Sequence, residues 1–282
     1  MYLPNEIPNA RVLITVKTYP LPSNKYEELV CTAGILSNGK WIRIYPIPFR
    51  SLPYQEQYKK YNWIELDLIR NSSDFRPESY RPKNGTDQRI EVVGRVGTSD
   101  NWRERKNLIL KEVFVSMTEL IDLAKSDQKK SLGTLKPLEI VDFVIEEDER
   151  EWKPEWIDQF KQLRLFETAD IGRNTAREVI RKVPYKYSYR FLSKGDNQPR
   201  QLMIEDWEIG ALYWNCLQIC EGDEYLANQL VRQKYFDEFV SQKDIYLFLG
   251  TTKRFHNVSP NPFVIIGVFY PPKTKVTQLP LF

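Results

Sequence analysis

The sequence has little of the two side chains on which most metal and nucleophile chemistry depends. Its 282 residues contain one histidine, His256, and three cysteines, Cys31, Cys216 and Cys220. A zinc site with two histidines and a histidine-rich dimetal centre are therefore excluded. A Ser-His-Asp triad would need His256 itself, and the sequence has no GxSxG elbow to meet it. We expect His256 to be a hydrogen-bonded loop residue, with a catalytic role as the weaker alternative.

Long apolar runs, a cysteine framework and a strong net charge are also missing. No stretch of 18 apolar residues occurs, and no cationic segment precedes an apolar run at the start, so we expect neither a membrane segment nor a signal peptide. Three cysteines without framework spacing are typical of a reducing compartment, which predicts a cytoplasmic protein. Because the formal net charge is only +3, any nucleic-acid site must be a local patch.

Aromatic residues, by contrast, are dense. The chain has 16 Tyr, 14 Phe and 7 Trp, which together make up 13% of its residues. Rings of this number supply core area, and they also supply faces on which bases can stack. Composition alone does not choose between the two uses.

The first hundred residues predict a small β-rich unit, for which a barrel is one architecture. The predicted strands are 11–16, 29–36, 40–45, 63–69 and 90–97. Asn38-Gly39 predicts a type I′ hairpin, because that turn needs positive φ at both central residues. The hairpin also argues against a P-loop at 34–40, since a strand follows where that motif requires a helix, and Trp41 replaces the magnesium-binding hydroxyl.

The remainder predicts mixed helices and strands, and so an α+β fold overall. Ser116–Glu119 is a capping box that opens a helix to about residue 126, and Thr175–Glu178 is a second one. Further helices are predicted at 154–165, 205–220 and 223–240, and strands at 137–145, 185–191, 244–250 and 263–270. The acidic run 146–149 marks a soft boundary. We expect a β-rich domain with one helix at 1–145, an α+β domain at 155–270 and an exposed tail at 271–282.

The strongest candidate for nucleic-acid contact is the segment 173–194. Its arginines at four-residue spacing would stack on one helix face, and rings alternate along the strand that follows. Cations beside a row of rings suit a surface that tracks phosphates and stacks bases; a solvated helix above a core strand is the alternative. The candidate DNA-binding residues are Arg173, Arg177, Arg181, Lys182, Lys186 and Arg190, and the rings are Tyr185, Tyr187, Tyr189 and Phe191. The cluster 102–106 is a second, weaker candidate.

Carboxylates are the remaining route to catalysis. Glu205, Asp206 and Glu208 surround Trp207 at a predicted helix start, where helix capping explains them without any reaction. A metal-dependent nuclease would need such carboxylates to converge, and only in that case would Mg²⁺ or Mn²⁺ be required. Asp142 with Glu151-x-Lys153 matches the Asp…Glu-x-Lys motif of restriction-type nucleases. The Glu-x-Lys part, however, lies in a charged run that is unlike a core strand. Cys216 and Cys220 share a helix face, and we expect them to be small apolar residues rather than metal ligands.

The last five residues carry the most specific signal in the chain. They follow the polar run 271–277, whose prolines and lysines predict an exposed tether. Leu279, Leu281 and Phe282 are too few to form their own core, and leaving them in water forgoes roughly 1.5–3 kcal/mol per side chain. A hydrophobic cleft on another protein would recover part of that free energy, and the Gln278 amide would add directional hydrogen bonds. The alternative is that the tail folds back onto its own domain.

The chain ends in Gln278-Leu279-Pro280-Leu281-Phe282. In sequence and position this peptide resembles the clamp-binding peptide of bacterial DNA polymerases and repair proteins, whose consensus is Gln-Leu-x-Leu-Phe. The resemblance covers these five residues alone. It implies that the bacterial DNA sliding clamp is the partner, with Gln278 in a polar subsite and Leu281 and Phe282 in a hydrophobic one. A dissociation constant near micromolar, about −8 kcal/mol, suits so short a ligand.

Three functional hypotheses follow. The first is a nucleoid-associated, DNA-binding accessory protein of replication, repair or genome defence, recruited to the clamp through its tail. The second is a metal-dependent nuclease acting on DNA. The third is a non-enzymatic adaptor that binds the clamp without touching DNA.

Overall fold

The computed structural model describes residues 3–22, 28–155 and 180–273. The strands are β1 (Glu6–Lys17), β2 (Leu21–Pro22), β3 (Glu28–Leu29), β4 (Thr32–Leu36), β5 (Trp41–Ile44), β6 (Asn62–Arg70), β7 (Ser79–Pro82), β8 (Glu91–Arg95), β9 (Leu132–Leu135), β10 (Glu139–Glu147), β11 (Tyr185–Leu192), β12 (Arg200–Met203), β13 (Tyr246–Thr251) and β14 (Phe263–Phe269). The helices are α1 (Ser99–Ile109), α2 (Met117–Lys125), α3 (Trp207–Ile219), α4 (Glu224–Arg232), a π-helical segment (Gln233–Glu238) and α5 (Phe239–Gln242).

The N-terminal unit is a closed five-stranded barrel. Its strands follow the order β1-β4-β5-β7-β6, and β6 pairs back onto β1, while β8 extends the sheet from β6. The β5–β7 pair is parallel and the other barrel pairs are antiparallel. The first four barrel strands lie in the spatial order of a Greek key, with β7 inserted between β5 and β6. Closure leaves no free edge within the ring.

Period-two patterning explains why these segments pair as they do. In β6, Ile64, Leu66 and Leu68 are buried and alternate with more exposed residues, so one face of the strand lines the barrel interior. Strand β1 contributes Val12 and Ile14 to the same core. A β-bulge between Ile14 and Val16 bends β1 across the barrel wall.

The C-terminal unit packs helices against two three-stranded sheets, β10-β11-β12 and β14-β13-β9. Capping side chains open its helices: Ser116 accepts from the Glu119 amide at 3.4 Å, and Asp223 accepts from the Leu226 amide at 3.0 Å. The large core of this unit joins α2, the sheets and α3–α5 around fully buried rings such as Tyr189 and Phe239.

A separate apolar layer joins the barrel to the C-terminal unit. The outer face of β4 and β5 presents Ala33, Ile35 and Trp41, which share one buried cluster with Phe248 of β13 and Phe269 of β14. Trp41 meets Phe248 edge-on, with 5.2 Å between the ring centroids. Strands β4 and β5 are therefore buried on both faces, one in the barrel core and one in this layer.

A buried arginine crosses the edge of that layer. Arg43 of β5 donates to Ser79 Oγ in the barrel at 3.2 Å, and to Ser131 Oγ at 2.9 Å and the Thr251 carbonyl at 3.3 Å in the C-terminal unit. Arg76 also donates to the Thr251 carbonyl, and its guanidinium pairs with Asp74 at 2.6 Å. Both guanidinium groups thus have one acceptor within the barrel unit and at least one more that the C-terminal unit supplies.

The predicted α+β class and the barrel-like N-terminal unit are confirmed. The hairpin at 36–40 is confirmed too, but its type I′ turn is wrong: of the two central residues only Gly39 has positive φ, at 87°, and Leu36 donates to the Lys40 carbonyl across a three-residue loop. Helix α1 was not predicted from the sequence. Its first turn places Asp100, Asn101 and Trp102 at positive φ, a backbone conformation outside the right-handed helical region.

The single histidine is a buried structural residue, as expected. His256 Nε2 lies 3.0 Å from the Ala124 carbonyl, which can only accept, so Nε2 carries the proton. Nδ1 then accepts from Thr251 Oγ1 at 2.8 Å. Most of the predicted helix 154–165 and the start of the helix predicted from the Thr175–Glu178 capping box lie outside the described residues. Residues 180–183, where the second of these helices was expected to end, have no regular secondary structure. The predicted 1–145 and 155–270 domain bounds stay predictions.

Arg43→Met should lower the free energy of unfolding by about 3 kcal/mol, because it strips a buried, hydrogen-bonded charge from its acceptors. Arg11→Met is the matched control, since the Arg11 side chain is 53% exposed and should change stability by less than about 0.5 kcal/mol. Urea unfolding followed by tryptophan fluorescence measures both variants. Equal losses would show that Arg43 does not tie the units together.

Candidate functional site

The structure brings two of the three candidate carboxylates together around a lysine. Asp206 is the N-cap of α3, and its Oδ1 accepts from the Glu208 amide at 3.1 Å. Lys60, from the turn before β6, donates to Asp206 Oδ2 at 2.8 Å and to Glu208 Oε2 at 2.9 Å. The barrel supplies the ammonium and the C-terminal unit supplies the carboxylates, so this cluster lies at the junction of the two units.

Burial strengthens the electrostatic interactions among Lys60, Asp206 and Glu208. The Asp206 side chain is 1% exposed, whereas that of Glu208 is 44% exposed. Burial alone would lower the pKa of Lys60, but the two carboxylates outweigh it and hold that pKa above its ordinary value. Lys60 therefore stays protonated, and it neutralises the carboxylate that burial penalises most.

A second lysine lies beside the first. Lys17, at the end of β1, donates to the Tyr58 carbonyl at 3.3 Å, and its Nζ lies 4.3 Å from the centre of the Phe49 ring. Burial, aided by the nearby charge of Lys60, lowers the pKa of Lys17 to about 8. Neither lysine was among the residues predicted from the sequence. For Lys60 the reason is that 146 positions separate it from Asp206, so no local pattern connects the two.

This geometry gives Asp206 a structural role. Both of its oxygens are engaged and the side chain is shielded from solvent, so it offers no open position to a metal or a substrate. Across 3–22, 28–155 and 180–273, no three His, Cys, Asp or Glu side chains converge as metal ligands. Helix capping, the simpler interpretation of the Glu205–Glu208 segment, is confirmed for Asp206.

Two further nuclease candidates, Glu205 and Asp142, do not join that cluster. The described hydrogen bonds of Glu205 come from its backbone, which donates to the Ile265 carbonyl at 2.7 Å and accepts from the Tyr19 amide at 3.1 Å. Burial raises the pKa of its carboxyl group. Asp142 is paired with Arg232 at 3.1 Å. The nuclease hypothesis is left without an assembled site in the described residues.

The predicted row of stacking rings is wrong. Tyr187, Tyr189 and Phe191 point into the core of the C-terminal unit and are at most 2% exposed. Period-two alternation placed these rings on one face correctly, but that face is the inner one. Burying three large rings in the core is far more favourable than leaving them in water for a ligand.

On the outer face of the same strand, acidic residues oppose the cations. The register of β10 and β11 places Lys186 opposite Glu146 and Arg190 opposite Asp142. Asp148 pairs with Lys182 at 3.0 Å and with Lys186 at 2.9 Å. This part of the predicted patch is consequently close to charge balance, which weakens its attraction for phosphates.

The remaining candidates of the patch fall in different places. Arg181 is exposed, and its guanidinium lies 3.9 Å from the centre of the Trp214 ring. Arg173 and Arg177 lie outside the described residues. In the weaker cluster 102–106, Arg105 is buried and donates twice to the Val96 carbonyl. DNA binding by the six candidate residues stays a prediction.

The described residues end at Lys273, within the predicted tail 271–282. Lys273 donates through Nζ to the carbonyls of Val240 and Ser241 at 2.9 and 3.0 Å, which fixes this point on the surface of α5. The clamp-peptide candidates Gln278, Leu279, Leu281 and Phe282 lie outside the described residues. None of the helices in the described ranges has the length and apolar character needed to cross a membrane.

Two family models cover nearly the whole chain. Residues 8–111 match one described as Domain of unknown function (DUF8758), and residues 113–282 match one described as Domain of unknown function (DUF8757). The chain belongs to the DUF8757 family. In the structure, the DUF8757 segment starts just before Phe114, the first residue that packs in the C-terminal core, and the DUF8758 segment contains the barrel and α1. No curated protein matches the chain.

Asp206→Asn should lower the free energy of unfolding by about 3 kcal/mol, because it breaks a buried ion pair while keeping a good helix cap. Glu208→Gln should cost about 1 kcal/mol or less, since its side chain is 44% exposed and solvent screens its ion pair with Lys60. Urea denaturation of the two variants measures the difference. A larger loss for Glu208→Gln would contradict the assigned burial of the cluster.

Lys17 should titrate near pH 8 rather than near 10.4, the value for a free lysine. Between about pH 8 and 10.5 the unfolded chain binds more protons at this site than the folded protein, so the contribution of Lys17 to unfolding free energy rises with pH. NMR of ¹³C-methylated lysines measures the titration, and Lys17→Gln assigns the resonance by removing it. A Lys17 resonance that titrates with the bulk of the lysines would refute the burial argument.

Proposed function

We propose that this protein is a DNA-associated accessory factor of replication, repair or genome defence, recruited to a bacterial sliding clamp by Gln278–Phe282. The observation that carries the proposal is the Gln-Leu-Pro-Leu-Phe sequence at 278–282, which matches the clamp-binding consensus at each of its specified positions. Its three apolar side chains and one amide are the groups that a groove with one polar subsite can bind.

The end of the described fold supports this proposal. Lys273 anchors the chain to the surface, and four residues, 274–277, separate it from Gln278. Four extended residues span at most about 14 Å. A peptide held in a clamp groove would therefore keep the folded body beside the clamp, and beside the DNA that the clamp encircles.

The energetics favour a modest, reversible attachment. Burying the Leu and Phe side chains supplies several kcal/mol at about 25 cal/mol per Å², and Pro280 lowers the ordering cost by pre-extending the peptide. Translational and rotational costs consume much of this gain, which leaves an affinity near micromolar. Attachment of this strength suits a factor that visits the clamp and leaves.

Recruitment is a better proposal than cleavage for the described part of the chain. The carboxylates that could have formed a nuclease centre are engaged by Lys60 and Arg232. Arg181 is an exposed cation beside the Trp214 ring, and it is the described candidate best placed for weak DNA contact near the clamp. The proposed location is accordingly the nucleoid, in the cytoplasm.

The test is a titration of the full-length chain with a purified bacterial sliding clamp. Replacing both Leu281 and Phe282 by alanine should weaken binding at least about 50-fold, since two anchoring side chains lose their pocket. Thr277→Ala, just outside the peptide, should bind like the unmodified protein. Surface plasmon resonance against immobilised clamp measures all three, and unchanged affinity of the double variant would refute the proposal.

A further inference from the structure

Three loops from both units meet on one surface of the molecule. They are the β6–β7 loop (71–78), the turn after α2 (126–130) and the first part of the β13–β14 loop (252–258), and we refer to them together as the three-loop surface. Lys253 Nζ donates to the Ser73 carbonyl at 2.5 Å, which ties the third loop to the first. The Lys129 ammonium lies 5.6 Å from the centre of the Phe75 ring, which ties the second loop to the first.

The buried His256 fixes the arrangement from below. It bonds to the end of α2 through the Ala124 carbonyl and to β13 through Thr251, and its ring meets Phe75 edge-on at 5.2 Å. Arg76, in the first loop, also donates to the Thr251 carbonyl. The surface is therefore held in place by buried contacts rather than assembled from independent loops.

Exposed rings on this surface lie beside cations. Phe75 is 36% exposed and Phe255 is 48% exposed. The Arg254 guanidinium lies 5.3 Å from the centre of the Phe255 ring, in addition to the Lys129–Phe75 pair. Half-exposed phenylalanines held on a fixed surface keep apolar area in contact with water, which favours a ligand that covers it.

The charge of the surface favours an anionic ligand. Lys129, Lys253 and Arg254 are exposed, against one exposed carboxylate in the same loops, Asp127. The Asp74 carboxylate is occupied by Arg76 at 2.6 Å, and that contact lowers the pKa of Asp74 to about 2 against the opposing effect of burial. Cations that flank ring faces can pair with phosphates while the rings stack on bases.

We infer that the three-loop surface binds single-stranded nucleic acid. A single strand has unpaired bases that can stack on Phe75 and Phe255, whereas in a duplex the bases already stack on one another. The inference rests on the proposed function for its setting beside DNA, and it names the form of nucleic acid that the folded body would hold there.

The barrel gives this surface a second argument, by analogy of fold. In five-stranded Greek-key barrels of the OB type, oligonucleotides bind the face of strands two and three together with the loops that join strands one to two and four to five. Here that face is β4 and β5, which the C-terminal unit covers, and the loop that joins the fourth and fifth barrel strands is 71–78. A loop at the position of an oligonucleotide-binding loop of this fold therefore carries Phe75.

The test is fluorescence anisotropy of the full-length chain with labelled 20-nucleotide thymidine and uridine strands and a 20-base-pair duplex, at two salt concentrations. Phe255→Ala should weaken single-strand binding between about 5-fold and 100-fold, the range for loss of one stacked base. Arg254→Glu should weaken it further and reduce its salt dependence. Comparison of the thymidine and uridine strands distinguishes DNA from RNA as the source of the ligand.

Matched controls separate this surface from general effects. Tyr54→Ala removes a ring that is 86% exposed elsewhere on the barrel, and Arg89→Glu reverses an exposed charge just before β8. Both should bind like the unmodified protein. Thermal melting of each variant excludes unfolding as the cause of a loss, and Arg254→Glu carries the test if Phe255→Ala proves unstable.

The outcomes are decisive for the surface and separate from the clamp. Loss of single-strand binding in Phe255→Ala and Arg254→Glu, with the controls intact, supports the inference. Absent single-strand binding, preference for the duplex, or equal effects in variants and controls overturns it, as does a surface that captures only protein. The Leu281 and Phe282 double variant should bind single strands normally, so a failed clamp test leaves this result unaffected.

Discussion

The fold depends on the solvation of one buried charge, the guanidinium of Arg43. Burial and the neighbouring charge of Arg76 lower its pKa to about 10, which is still high enough for it to be charged at neutral pH. A charge in that position needs acceptors. Among the described residues, the barrel unit supplies Ser79, whereas Ser131 and Thr251 come from the C-terminal unit. The joined arrangement is therefore the one in which this strand can be buried without an unsatisfied donor.

The same junction determines which surfaces remain for function. By covering β4 and β5, it removes the outer face of these two strands from solvent and leaves the loops at the barrel rim exposed. By pairing Lys60 with Asp206 and Glu208, it turns carboxylates that resemble a catalytic cluster into a connection between units. The three-loop surface lies among these loops and presents its rings and cations at loop tips, where side chains are exposed on a rigid support.

Local signals in the sequence were sufficient for much of the fold. The capping residue Ser116 located α2, and alternation located β6 and β11, because these patterns depend on neighbours within a few positions. Barrel closure depends on the pairing of β1 with β6, and the ion pair at the junction depends on Lys60 and Asp206. In both cases the partners are far apart in the chain, so no periodic pattern in the sequence indicates the contact. The row from Tyr185 to Phe191 shows the limit most clearly, since alternation identifies a face but does not say whether that face is inside.

The two family models meet at residue 112, yet the apolar layer of Trp41, Phe248 and Phe269 crosses that point. The boundary between the family segments therefore does not coincide with a break in the apolar packing. A polypeptide that kept only one segment would expose this apolar layer, which favours proteolysis and self-association. Each segment therefore shields apolar surface of the other from water.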